Sequence, residues 1–214
     1  MRKIIKKVDF LKIPTKKDAE DILLEAKSLN DGKWIEHSRF TGMCAWLIAG
    51  HTDDMIPDVA YVLGLLHDIG RRFGKMQLAH IVRGYRYMTE LGYDLVARIN
   101  MTHTFPIKDI DIIAAKWDCD DNDRLLVKDY LSNIYEYDDY DRLIQLSDYL
   151  SLHNGHTILE KRMVDIAFRY GVNDKTIIKW KEVFRLKDYF DKKTGRNIYT
   201  LFPDIEKTTF GFFE

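Results

Sequence analysis

The stretch Pro57-Asp58-Val59-Ala60-Tyr61-Val62-Leu63-Gly64-Leu65-Leu66-His67-Asp68-Ile69-Gly70 decides how this chain reads. Val59, Val62, Leu63, Leu65 and Leu66 give it apolar weight. Pro57 suits the first turn of a helix, where an amide hydrogen would lack a partner anyway. The pattern predicts a helix opened by Asp54 and Pro57 and ending near Gly70. The apolar run stops on His67 and Asp68. Two adjacent ligand-type side chains at a helix end can turn toward one point, because the chain is about to leave the helix. A buried His-Asp pair without a partner is costly, and a metal ion would satisfy both. The dipeptide alone carries no weight: seven histidines and 25 aspartates in 214 residues supply about 0.8 such pairs by chance.

Working outward, the pattern stays helical, and only four prolines interrupt it. Thr15 and Asp18 form an acidic variant of a capping box, opening a helix toward Leu29. Asn30, Asp31 and Gly32 break it. A second helix spans about Lys33 to Ala49, with Gly50 as its stop. Further helices are expected over Met76–Leu91, Asp94–Thr102, Asn122–Ser132, Asp138–Leu152, Thr157–Tyr170 and Asp174–Asp191. The segment Asp118 to Asp123 reads as an acidic loop. The last twenty residues read as an aromatic tail packed on the body. Alternation of the strand type is nearly absent, so the fold class is all-α, a helical bundle.

Composition narrows the function classes. Hydrophobic residues make up 46% and charged residues 31%, a globular balance. The formal net charge of -1 offers no global field for a nucleic acid polymer or an acidic membrane. Two cysteines, Cys44 and Cys119, stand far apart, with no thiolate metal signature; this fits a reducing, cytoplasmic setting. The basic start MRKIIKKVDFLKIP lacks an apolar signal core, and no stretch is long enough to span a membrane.

Other residues point at the same place. Trp34, His37, Thr41, Cys44 and Ile48 are spaced 3-4-3-4, which puts an imidazole on a face that should be buried. Ile144, Asp148 and Leu152 share a face one turn apart, so the Asp148 carboxylate points with apolar residues and needs a cation or donors. His80, with Gly84 leaving room one turn later, and His103 are further candidates. Each has a plainer alternative. His37 alone suits a satisfied core histidine, Asp148 a helix-packing hydrogen bond, His80 an exposed first-turn position, and His103 a partner for the helix C-terminus. Arg71, Arg72 and Lys75 follow the pair in a Gly-punctuated turn and can clamp a phosphate or simply be solvated. Arg39 and Arg83 are weaker candidates. His51 reads as a helix-end cation, and His153 and His156 as rim or surface residues. Lys108, Asp109 and Asp111 read as loop, and Tyr135, Tyr137, Tyr140 and Tyr149 as packing that can also stack a base.

The order His37 … His67-Asp68 … Asp148, with Leu-Gly-Leu-Leu-His-Asp-Ile-Gly around the pair, resembles the HD superfamily of metal-dependent phosphohydrolases. The resemblance covers about residues 30–155 of a single domain spanning 1–214, leaving a helical extension from about 156. It implies an all-helical HD-like fold and a metal held by His37, His67, Asp68 and Asp148. His80 and His103 are similar to the extra ligands of two-metal members, in which Asp68 would bridge the ions. One such branch splits dinucleoside tetraphosphates. The cyclic-dinucleotide branch fits poorly, since Thr104 stands where a second histidine is expected and its Gly-Tyr-Pro signature is missing.

The expected cofactor is one or two divalent ions, with iron or manganese favoured and zinc, cobalt, nickel or magnesium compatible. The expected activity is hydrolysis of a phosphate ester or anhydride in a small nucleotide, with Asp68, Arg71 and Lys75 as catalytic residues. Two alternatives stay open: a regulatory HD module that binds without turnover, and oxygen-dependent chemistry at two irons.

Overall fold

The computed structural model describes residues 13–134 and 136–210. Helices form where the apolar periodicity placed them, and several ends are set by partners remote in sequence. Helix α1 (Lys16–Leu29) starts at Thr15, whose hydroxyl oxygen accepts the Asp18 amide at 3.2 Å. The Asp18 carboxylate takes the Thr15 hydroxyl at 2.6 Å rather than the Thr15 amide, so only half of a capping box forms. Helices α2 (Lys33–Ala49) and α3 (Pro57–Leu65) follow.

Helix α3 ends at Leu65, not near Gly70. The Asn100 amide nitrogen donates to the Leu66 carbonyl at 3.1 Å, claiming an oxygen that a longer helix would have used. His67 and Asp68 therefore lie in a turn, ahead of a 3₁₀ segment at Ile69–Phe73. Helix α4 (Ala79–Glu90) starts three residues later than expected, because the Asp118 carboxylate accepts the amides of Gln77 and Ala79. Helix α5 is Asp94–Thr102. Helix α6 (Asp121–Asn133) begins inside the expected acidic loop, capped by Asp120 on the Asp123 amide at 2.8 Å.

Helix α7 (Asp139–Leu150) has a full capping box between Asp138 and Asp141. It stops two residues short of Leu152, where a tiny hairpin pairs β1 (Ser151–Leu152) with β2 (Gly155–His156). Gly155, at φ 143°, makes the turn in a region that side chains avoid. Helix α8 (Leu159–Tyr170) and α9 (Thr176–Thr194) follow, and α9 runs past Asp191 to a left-handed Gly195. The expected tail contains a 3₁₀ turn and a short helix α10 (Ile205–Phe210).

Helices α2 and α3 pack most closely. A Cβ on Gly64 would lie 2.8 Å from the Gly42 Cα and from the Thr41 carbonyl oxygen. That close approach places His37 beside the end of α3. One core gathers α1, α2, α3, α7 and α9, including Val183, Phe190, Ile198 and Phe202 from the C-terminal part. A second cluster, with Ile81, Met101, Phe105 and Val127, lies under α4, α5 and α6. Among the described residues no helix is long and apolar enough to cross a membrane.

Candidate metal centre

Three histidines reach one point from three elements, each with its ring turned by a backbone carbonyl. His67 Nδ1 donates to Gly64 O at 2.7 Å, one helical turn back. His80 Nδ1 donates to Gln77 O in the same way. His103 Nδ1 is shared between Ile99 O and Asn100 O, both at 3.1 Å. A carbonyl only accepts, so Nδ1 carries the proton in each ring. The Nε2 atoms are thereby turned toward the centre, and that of His103 accepts from the Thr104 hydroxyl at 2.9 Å.

Asp68 sits among these nitrogens. Its Oδ1 lies 3.0 Å from His80 Nε2 and 3.7 Å from His103 Nε2. Its Oδ2 lies 3.9 Å from His67 Nε2 and accepts Arg71 Nε at 2.6 Å. Burial alone would raise the Asp68 carboxyl. The charges of Arg71, His80 and His67 outweigh it and hold the group well below the usual range.

Asp148 closes the other side. Its Oδ1 is 2.9 Å from His37 Nε2 and 3.9 Å from His67 Nε2. Burial opposes ionisation here too, but the His37 hydrogen bond and nearby cations keep the carboxyl lowered. Burial lowers His37, and it pushes His103 down to about 3, aided by its histidine neighbours.

The donor set fits a metal ion. His37, His67 and Asp148 bring their ligand atoms within 4.8 Å of one another, and so do His67, Asp68 and His103. Imidazole nitrogens and carboxylate oxygens are donor types that metals bind. His80, which taken alone reads as an exposed first-turn residue, is 3% exposed. Its expected neighbour Gly84 makes room for Asn100 instead, whose Oδ1 would lie 1.9 Å from a Cβ there.

Other candidates scatter. Arg71 lines the cavity over the centre, with Nε on Asp68 and Nη1 on Met76 O at 2.9 Å. Lys75 is exposed and does not line that cavity. Arg72 is buried against Tyr87 and pairs with Glu25, and Arg39 pairs with Glu20. Arg83 is exposed. His51 bonds Leu47 O at its helix end. His153 is exposed at the cavity rim. His156 departs from the surface reading: it is buried, held by Asp204 at 2.8 Å and stacked on Phe202. Lys108 bonds Ile134 O and Asp109 pairs with Lys175, so both serve loops; Asp111 pairs with Arg124. Of the four tyrosines, Tyr149 lines the cavity, Tyr137 and Tyr140 bond backbone at Phe105 and Ile56, and Tyr135 lies outside the described residues.

The cavity has a volume of about 700 Å³. Its far wall comes from α8 and α9, which carry Arg162, Arg169, Lys179 and Trp180. Sequence reasoning missed these. A signal existed for Lys179: with Val183, Leu186 and Phe190 it follows the 4-3-4 spacing of a buried face, as His37 does in α2.

A family model described as HD domain matches residues 34–152, more than half of the chain. Neither the curated proteins nor the solved structures compared with the chain gave a match. The matched stretch holds all six converging candidate ligand residues, and the chain belongs to the HD-domain family, a superfamily of metal-dependent phosphohydrolases.

Proposed function

We propose that the chain hydrolyses a phosphate ester or anhydride of a small nucleotide, using two divalent ions. The observation that carries this is the position of Asp68. One of its oxygens faces His80 and His103, and the other faces His67. A carboxylate so placed would serve two ions, one held with His37, His67 and Asp148, the other with His80 and His103. Imidazole and carboxylate donors without thiolate favour iron or manganese. Such ions supply an acidified water and offset the charge that builds on phosphoryl oxygens.

The chain's own residues do the rest. Arg71 holds Asp68 in register and presents a guanidinium to the cavity, on the side where phosphate oxygens would gather. Trp34, Tyr149 and Trp180 give the cavity aromatic surface for a base. In the reaction, water's oxygen forms a bond to phosphorus as the P–O bond to the leaving group breaks. The leaving oxygen keeps that electron pair, and water's protons end on the two products.

Protein purified without chelators should carry two metals per chain and turn over nucleotides in a phosphatase screen. His67→Ala and Asp148→Ala should lose both metal and turnover while staying folded. Metal-free folded protein, inert toward every nucleotide under added manganese or iron, would overturn the reading.

A further inference from the structure

The cavity is lined by six cations and three carboxylates, and two of those carboxylates are candidate metal ligands. Most of the cations are engaged. Arg71 is bound to Asp68. Arg162 and Arg169 both reach Asp165, at 3.1 and 2.6 Å. Lys161 donates to the carbonyls of Thr208 and Thr209. Lys33 is exposed to solvent. Lys179 differs from all of these: it is 6% exposed and lines the cavity, and its ammonium has no hydrogen bond or ion pair among the described residues. The one charge it senses is that of Asp148, and burial takes its ammonium down to about 8. A largely buried ammonium without a protein partner is costly, and the cavity it lines is where a partner can bind. Arg162 adds a second unmet group: its Nε is buried without a partner, and its Nη2 lies 3.9 Å from Asp148 Oδ1.

The cations thus stand at both ends of the ligand cluster. Arg71 is at Asp68; Arg162 and Lys179 are at Asp148. A phosphate monoester places its charge on one phosphorus only. A phosphoanhydride carries charge on both sides of the bond to be broken. We infer that Lys179, with Arg162, binds a second phosphate of the substrate at the Asp148 end, so that the substrate class is a phosphoanhydride. This rests on the hydrolase reading, and names its substrate. Lys179 and Arg162 lie outside the stretch matched by the HD domain, so the selectivity belongs to the extension of this chain.

The test is binding, measured by calorimetry on the full chain with manganese present. Methylenediphosphonate carries two phosphorus groups across a bridge that water does not cleave; methylphosphonate carries one. Lys179→Met keeps the side-chain volume and removes the charge. It should weaken methylenediphosphonate by 10-fold or more and change methylphosphonate less than 2-fold. Its melting temperature should stay level or rise, since a buried unpaired charge is gone. Lys179→Gln repeats the measurement if the Met variant aggregates. Equal changes for both ligands, or none, overturn the inference. Turnover is scored apart: wild-type protein that binds the bisphosphonate through Lys179 yet hydrolyses nothing would sink the hydrolase reading and leave the second-phosphate site standing.

Discussion

The Asp118 carboxylate accepts the amides of Gln77 at 2.6 Å and Ala79 at 2.9 Å. Those bonds fix the start of α4. The carbonyl of Gln77 in turn holds the His80 ring, so Asp118 positions a candidate ligand it never touches. Asp118→Ala should weaken metal binding at the His80 site by about 10-fold and cost about 1 kcal/mol through the lost cap. Metal titration should show one of two ions released early, with the other retained; loss of both together, or of neither, would refute the positioning role. At this scale the sequence was partly legible. His37 and Asp148 announced themselves as polar groups on apolar faces. Lys179 carried the same sign on α9 but had no motif beside it. Asp118 gave no sign at all, because its partners lie 39 and 41 residues away.

Helices α2 and α3 bring His37 and His67 together, with ring centroids 5.3 Å apart. Their approach depends on Gly64, where added volume would press on the Gly42 Cα and the Thr41 carbonyl. Neither neighbour is a flexible side chain, so the helices would have to separate. Gly64→Ala should cost about 1–3 kcal/mol and loosen the ion held by His37, His67 and Asp148. A fall in the urea midpoint with a matching loss of one metal checks this; an unchanged midpoint would mean that the helices yield freely. Element identities were legible from period and caps. Their ends were not, because those depend on tertiary partners. Asn100 stops α3 by taking Leu66 O, and a hairpin held near Asp204 stops the continuation of α7.

Taken as a whole, the molecule buries Val183, Leu186, Phe190, Ile198 and Phe202 in the same core as α2, α3 and α7. Five such side chains at about 1.5–3 kcal/mol each are comparable to the whole usual margin of a domain's stability, about 5–15 kcal/mol. A chain ended at residue 158 should therefore lose cooperative unfolding and bind a hydrophobic dye, even though it contains the entire stretch matched by the HD domain. A sharp calorimetric transition in that fragment would show the extension to be dispensable for folding. The helical class was visible from the chain alone, as were the residues that converge as candidate ligands. The second half of the cavity was not, because residues 161–180 acquire meaning only once α8 and α9 are laid over Asp148.

That overlay has a consequence for how such a protein changes over time. The candidate ligands lie between residues 37 and 148, and the cationic wall lies beyond the hairpin, on α8 and α9. Arg162 reaches the centre through Asp148, whereas Lys179 makes no ion pair with any candidate ligand, so substitutions at Lys179 can drift while the centre is kept. A lysine placed at the equivalent position of a sibling scaffold would pass on a preference while leaving the recipient its own chemistry.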